Sequence, residues 1–424
     1  MRRLVSLFSM SVLSAFVFYG AQAAEAAERT VVLVMFDGFA PAMADATETP
    51  NLDRIKIEGA WSRHLIPVYP TMSLPNHTSF VTGCWPEHHG IMQNNFIDPE
   101  RGPLAEVADA DWMTGCESVW QAAERQGVKA ASLNFWNRWS ARKGPLATYI
   151  NDWIDWRQAP SDEDILARGL DLLNMADDKR PRLIAMYFRG PDHEAHLHGT
   201  TSPEALAEAR KADDIVGKLM AGIKALPPDR EGTLVVGTDH GMIDVGPLIN
   251  LGRIINRHWI YTRDAGDGGS AYLYLDKDES IDRVEKELSG YSDAFTVYRT
   301  GQYPAFAHLG TSGRVGDLML VAKPPYYIAP SSAMPTYAHL LGITWVWSDI
   351  FTPDDGGLKA SHGYDPAIPE MHGIFYAWGA GIAAGKEVSQ LDTIDVHPTV
   401  MSLLSLEPGQ PVDGKVVMDV MAGP

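Results

Sequence analysis

The chain has 424 residues, 45% hydrophobic and 21% charged, a composition that excludes disordered and collagenous classes. A formal charge of −19 without a Lys/Arg cluster excludes long nucleic acid as a partner, because polyanion binding needs a basic stripe. With only Cys84 and Cys116 present, a four-cysteine zinc site is excluded as well.

Arg2 and Arg3 precede a 16-residue apolar stretch, 4–19, and then Ala21, Gln22 and Ala23, the order of a secretory leader with a small-residue cleavage site. The stretch is short for a bilayer span, so residues 1–23 are read as a signal peptide, and its length suggests a bacterial periplasm or secretion. Its removal would leave a charge of −21, and no second run of about eighteen apolar residues follows, so no membrane span is expected in the mature chain. Export makes a disulfide between Cys84 and Cys116 chemically permissible.

Strand 31–36 (VVLVMF) leads through Asp37, Gly38 and Phe39 to a helix at 51–59, whose start is marked by Thr49 and Pro50. A polar, proline-rich turn, YPTMSLPNHTSF, follows, then a helix at 118–127 and a strand at 128–136. Apolar spacing near 3.6 predicts a helix over 162–177 ahead of strand 182–188, and a long amphipathic helix over 203–226 ahead of strand 233–238. Repeated strand–helix units imply an α/β fold with a mainly parallel sheet flanked by helices. Between 246 and 355 the texture changes, with short strands at 270–275 and 316–322 around a helix at 282–290, and DAGDGG and several prolines as punctuation. This predicts an inserted smaller α+β subdomain within a discontinuous catalytic core of 24–245 and 356–424. The core resumes at His362, with strand 373–378 and a last helix near 394–404.

Polar residues at or near the ends of the apolar runs carry the chemistry: Asp37 after VVLVMF, Asp192 after RLIAMYF, Asp239 after TLVVGT, and His362 shortly before GIFYAW. In an open α/β sheet, loops at the carboxyl ends of the strands share one edge and bring such residues together. Asp192 and His196, four apart, face one side of a helical turn, and Asp239 is followed by His240. Two carboxylate and histidine pairs, with Asp37 and His362, suggest two metals with open positions, as in catalytic sites. Ser73 lies where prolines rigidify a turn that could open a helix, and a divalent ion would favour its alkoxide. Thr71 and Ser79 compete with it for that role. His77, His88, His89, His193 and His198 lie near the same motifs and are read as hydrogen-bonded supports.

Taken in order, DGF at 37–39, PTMSLPNHTSFVTG, WPEHHGIMQNNFIDP, PDHEAHLHG, TDHGM, GDLMLVAKPPYYI, HGYDP and IDVHPTVMSLLSLEP resemble the nucleotide pyrophosphatase/phosphodiesterases of the alkaline phosphatase superfamily. The resemblance implies an alkaline-phosphatase-like fold and two zinc ions per chain. One would be held by Asp192, His196 and His362, the other by Asp37, Asp239 and His240, with Ser73 bridging them as nucleophile. Asn94 falls where the family binds a nonbridging phosphoryl oxygen. Tyr187 matches an aromatic position that stacks on the base in nucleotide-cleaving members, while Leu74 replaces the Phe of the other half of that sandwich. The family most often has Thr where Ser73 stands, and its choline-phosphodiester branch has Ser. SLPNHTSFVTG echoes the sulfatase CxPSR and TG arrangement, but Asn76 and His77 replace its Ser and Arg, which disfavours a sulfatase. Trp345 and Trp347 could line a pocket or pack in the subdomain.

These readings predict a two-zinc hydrolase acting on small-molecule phosphodiesters or pyrophosphates, either nucleotides and their derivatives or choline-type diesters, through a phosphoserine intermediate. A phosphomonoesterase of the same superfamily, or an exported metal-binding protein without catalysis, are the alternatives. The oligomeric state is left open by the sequence.

Overall fold

The apolar run at 31–36 forms a middle strand of a nine-stranded sheet, β1 (Glu28–Phe36). Its side chains alternate between two cores, Val32, Val34 and Phe36 entering one, Val31, Leu33 and Met35 the other. A strand covered on both faces needs no polar alternation, so it reads as one continuous apolar run. Each such side chain contributes about 1.5–3 kcal/mol by leaving water. The computed structural model describes residues 28–104, 112–135, 144–151, 159–331, 348–353 and 357–423. Trp345, Trp347 and the leader at 1–23 lie outside the described residues.

Along the chain the strands continue with β2 (Ala60–Ile66), β3 (Ala130–Leu133), β4 (Tyr149–Ile150), β5 (Leu183–Phe188) and β6 (Arg230–Thr238). A second, four-stranded sheet holds β7 (Thr262–Asp267), β8 (Ser270–Leu275), β9 (Phe295–Arg299) and β10 (Leu318–Ala322). The large sheet then takes up β11 (Gly373–Gly379), β12 (Lys386–Glu387) and β13 (Leu391–Asp392). Its order is β12-β2-β11-β6-β1-β5-β3-β4, with β13 also paired to β2. β1 runs parallel to β5 and β6, and β3 parallel to β4 and β5.

The exception is β11, antiparallel to both β2 and β6. Its reversed direction brings its beginning to the edge where the parallel strands end, so His362, ahead of β11, reaches the same edge as residues that follow a strand. A bond of 2.7 Å from Gly241 N to Met371 O ties that segment to the loop after β6.

Helices cover both faces of the large sheet. α1 (Pro50–Glu58), α4 (Asp162–Leu173) and α6 (Pro203–Lys224) pack on the face of Val34, while α2 (Ser73–Thr82), α3 (Val119–Arg125) and α8 (Val396–Leu403) pack on that of Leu33. α5 (Asp192–His198) stands at the edge where the parallel strands end, and α7 (Ile281–Leu288) buries Val284 and Leu288 against the second sheet. One element departs from the sequence reading. β2 was not expected, because Arg63 and His64 interrupt its apolar pattern. α2 begins at Ser73, where the proline-rich turn opens a helix as read from the sequence, and Asn76 fixes the bend. This buried amide accepts from Val68 N and donates to the carbonyls of Val68, Pro70 and Met72, fixing the bend that aims the helix. Cys84 and Cys116 are joined in a disulfide that closes the loop carrying Asn94.

Candidate metal centre and nucleophile

Asp37 directly follows β1, Asp239 directly follows β6, and Asp192 opens α5 just beyond β5, so three carboxylates meet at one edge of the sheet. Such crowding requires close backbone approach. Gly38 sits at φ +61°, and a Cβ there would lie 2.8 Å from Asp192 Cβ; Gly190 sits at φ +56°, and a Cβ there would lie 2.4 Å from Asp37 O. The DGF and RGPD sequences therefore need glycine for mutual fit as well as for the turn. Asp239 is held on both oxygens, Oδ1 accepting from Gly38 N at 3.0 Å and His240 N at 2.9 Å, and Oδ2 lying 3.2 Å from His77 Nε2.

The histidines are oriented by backbone carbonyls. His196 Nδ1 lies 2.8 Å from Ala360 O, His240 Nδ1 2.9 Å from Gly241 O, and His362 Nδ1 2.9 Å from Thr71 O. A carbonyl only accepts, so each Nδ1 carries its hydrogen and each Nε2 faces the carboxylates, the orientation that metal-ligating imidazoles adopt. His240 Nε2 is 3.3 Å from Ser73 Oγ, 3.5 Å from Asp37 Oδ1 and 3.4 Å from Asp239 Oδ2. Asp192 Oδ1 lies 3.4 Å from His196 Nε2 and 3.6 Å from His362 Nε2. The rings of His240 and His362 stack with centroids 3.7 Å apart.

Two observations fit divalent cations to this donor set. Asp37 Oδ1 and Asp192 Oδ1 are buried with no hydrogen-bond partner, an arrangement that costs stability unless a cation satisfies them. Charge agrees with geometry. Burial, reinforced by the charges of Asp239 and Asp192, pushes the Asp37 carboxyl well above the usual carboxylate range. Against the cost of burial, His240 and the hydrogen bond from His77 hold Asp239 down to about 2, and His196 and His362 hold Asp192 low. Asp192 also overcomes burial to raise His196 to about 9, while burial and the neighbouring His240 push His362 down to about 3. By proximity two three-membered groups form, Asp37, His77 and Asp239, and Asp192, His240 and His362, with His240 Nε2 also 3.5 Å from Asp37 Oδ1 and His196 Nε2 3.4 Å from Asp192 Oδ1. His77 belongs to the first as a donor to Asp239, which suits it to holding that carboxylate in place.

With this geometry in view, the profile of the type I phosphodiesterase / nucleotide pyrophosphatase family matches residues 31–365. The chain belongs to this family. It is 28% identical to human ectonucleotide pyrophosphatase/phosphodiesterase family member 1, over 85% of this chain and 38% of that protein. It thus spans well under half the length of that relative. An uncharacterized pyrophosphatase/phosphodiesterase of Schizosaccharomyces pombe is 27% identical over 91% of this chain and 79% of its own length. Rat family member 7 is 26% identical over 91% and 85%. Among solved structures, murine ectonucleotide pyrophosphatase/phosphodiesterase 5, an inactive variant in complex with AMP, superposes with a TM-score of 0.79 at 24% identity, covering 93% of this chain and all of that one. That likeness shows the fold, with its large central sheet between helices.

The other site residues of this phosphodiesterase-family chain lie around the same edge. Ser73 is the first residue of α2 and half-buried. Asn94 Oδ1 accepts from Leu74 N at 2.8 Å, which leaves its N–H donors for a ligand. Leu74 is half-buried and packs toward the core of the second sheet. Tyr187 donates to Asp37 Oδ2 at 2.5 Å, and its ring lies 4.5 Å from that of His77. A cavity of about 220 Å³ contains Ser73, Asn94, Asp192, His196 and His362, whereas a larger one of about 590 Å³ reaches Asp37 and Asp192 from the side of Tyr187 but lacks the serine. Ser73 and three of the candidate ligands therefore meet in the smaller one. Asp267 also lines it, from the DAGDGG stretch that reads in sequence only as punctuation, and its glycines were the sole signal of close approach.

Proposed function

We propose that the chain is an exported metal-dependent hydrolase cleaving phosphodiester or pyrophosphate bonds of small molecules, nucleotides and their derivatives or choline-type diesters, through a covalent phosphoserine at Ser73. The observation that carries this reading is Ser73 Oγ at a helix N-terminus, 3.3 Å from His240 Nε2 and at the edge that holds the unpartnered oxygens of Asp37 and Asp192. Asp192, His196 and His362 would hold one zinc ion, and Asp37, Asp239, His240 and Ser73 the other. Bound divalent ions would neutralise the three carboxylates, favour the serine alkoxide and screen charge on the leaving oxygen.

Ser73 Oγ then forms the bond to phosphorus while the bond to the leaving oxygen breaks opposite it. Asn94 donates its amide N–H groups to a nonbridging oxygen, where charge grows in the transition state. Water, attacking from the side the leaving group vacated, releases Ser73 for the next turnover. Leu74 and Tyr187 are the proposed substrate-contacting side chains, and Tyr187 in addition orients Asp37. Residues 246–355 act as an inserted subdomain on a core of 24–245 and 356–424. Residues 1–23 would deliver the chain to the periplasm or the exterior, and among the described residues no helix is long and apolar enough to cross a membrane.

Comparing bis-p-nitrophenyl phosphate with p-nitrophenyl phosphate on zinc-reconstituted protein tests the reading. Zinc-dependent turnover that prefers the diester supports it. Preference for the monoester would indicate a phosphomonoesterase, and bound zinc without turnover of either ester would indicate an inactive metal-binding protein.

A further inference from the structure

The smaller cavity has an uneven wall. Asp192, His196 and His362 line it together with Asp267 and the apolar Ile328 and Leu358. Neither lysine nor arginine is among the described residues that line it. Asp267 closes β7, the first strand of a hairpin pressed against the catalytic core. Gly268 exchanges backbone bonds of 3.0 and 2.8 Å with Ile328, and Gly269 N donates to His362 O at 2.8 Å. A Cβ at Gly268 would lie 2.7 Å from His362 O, and one at Gly269 2.3 Å from Gly363 C. The hairpin is thus seated on the backbone of a proposed metal ligand, and Asp267 is fixed at the cavity. Its carboxylate accepts no hydrogen bond among the described residues, and burial raises its carboxyl above the usual range against the opposing charge of His196.

We infer that Asp267 sets leaving-group selectivity, favouring neutral or cationic leaving groups over anionic ones such as pyrophosphate. The inference rests on the hydrolysis at Ser73 proposed above. In an in-line displacement the leaving oxygen departs on the side of phosphorus opposite the nucleophile. With Ser73 assigned to the side of Asp37, Asp239 and His240 as proposed above, the departing group is directed toward Asp192, His196 and His362, and Asp267 lines the same cavity. A fixed carboxylate in a cavity wall without lysine or arginine repels an anion and attracts an ammonium, and such juxtaposition discriminates between ligands of otherwise similar shape.

Three aryl methyl phosphates of matched leaving-group acidity, bearing a trimethylammonio, a neutral or a carboxylate substituent on the phenol, provide the test. For the metal-loaded wild-type protein, kcat/KM is expected to fall in that order, with about tenfold or more between the extremes. The spread should narrow as ionic strength rises. Asp267→Asn should shrink the ratio of the extremes toward one, and Asp267→Lys should invert it. A wild-type ratio that is flat or reversed at low salt overturns the inference whether or not the variants fold, and so does a ratio unchanged in a folded Asp267→Asn protein. Failure of all three esters to turn over would instead overturn the hydrolase reading, and this inference with it.

Discussion

The two halves of the site are built differently. Asp37, Asp239 and His240 are buried at the ends of adjacent strands β1 and β6, and both oxygens of Asp239 are held by donors within the core. Asp192 and His196 are partly buried on the short helix α5, each side chain 20% exposed, and His362 comes from a distant segment braced by the hairpin of the second sheet. The first half is preorganised by the sheet itself. The second depends on several separately anchored segments, so under the proposed function the chemistry would be fixed on one side and selectivity adjustable on the other.

This contrast is exposed to direct challenge. Asp239→Asn should lower kcat/KM by more than about 100-fold, beyond what the loss of an outer hydrogen-bond partner costs. His196→Gln should cost less, and kinetics paired with metal content would break the contrast if the two losses were equal. Replacing both Cys84 and Cys116 by serine removes a closure of 32 residues, with an expected loss of about 3–4 kcal/mol in chemical denaturation. Because that loop carries Asn94, the variant should also lose kcat more than it gains KM.

Tyr187→Phe removes the donor to Asp37 and should weaken metal binding by roughly tenfold in a competition titration. Substrate affinity falling with metal affinity unchanged would assign Tyr187 to the substrate wall instead. Protonation gives the mildest effect. His196, raised to about 9 by Asp192, contributes stability that is fully present below its ordinary 6.5 and lost as pH rises through 9. A metal must displace that proton, and part of one from Asp37, so affinity should increase with pH up to about 9. Calorimetry in buffers of different ionisation enthalpy would show proton release at neutral pH; its absence would contradict the assigned charges.

Much of the catalytic edge is legible in sequence because apolar strands buried on both faces are easy to find and their next polar residues mark one edge. Asp37 and Asp239 follow that logic directly. His362 obeys it only through the antiparallel direction of β11, which no local pattern reveals. The turn that opens α2 is legible from its prolines, whereas the bonds of the buried Asn76 to Val68, Pro70 and Met72 that fix it are not. Asp267 is less legible still, since a carboxylate between glycines acquires meaning only where its hairpin lands on His362.

The central claim is that Ser73 attacks phosphorus. Rapid acid quench of the metal-loaded protein during turnover of bis-p-nitrophenyl phosphate, followed by peptide mass mapping, tests it most directly. The account predicts a p-nitrophenylphosphoryl adduct, retaining the ester group that has not left, on the peptide containing Ser73, absent in Ser73→Ala, whose turnover should fall by about 1,000-fold or more. Full turnover by Ser73→Ala, or an adduct on another residue, would contradict it.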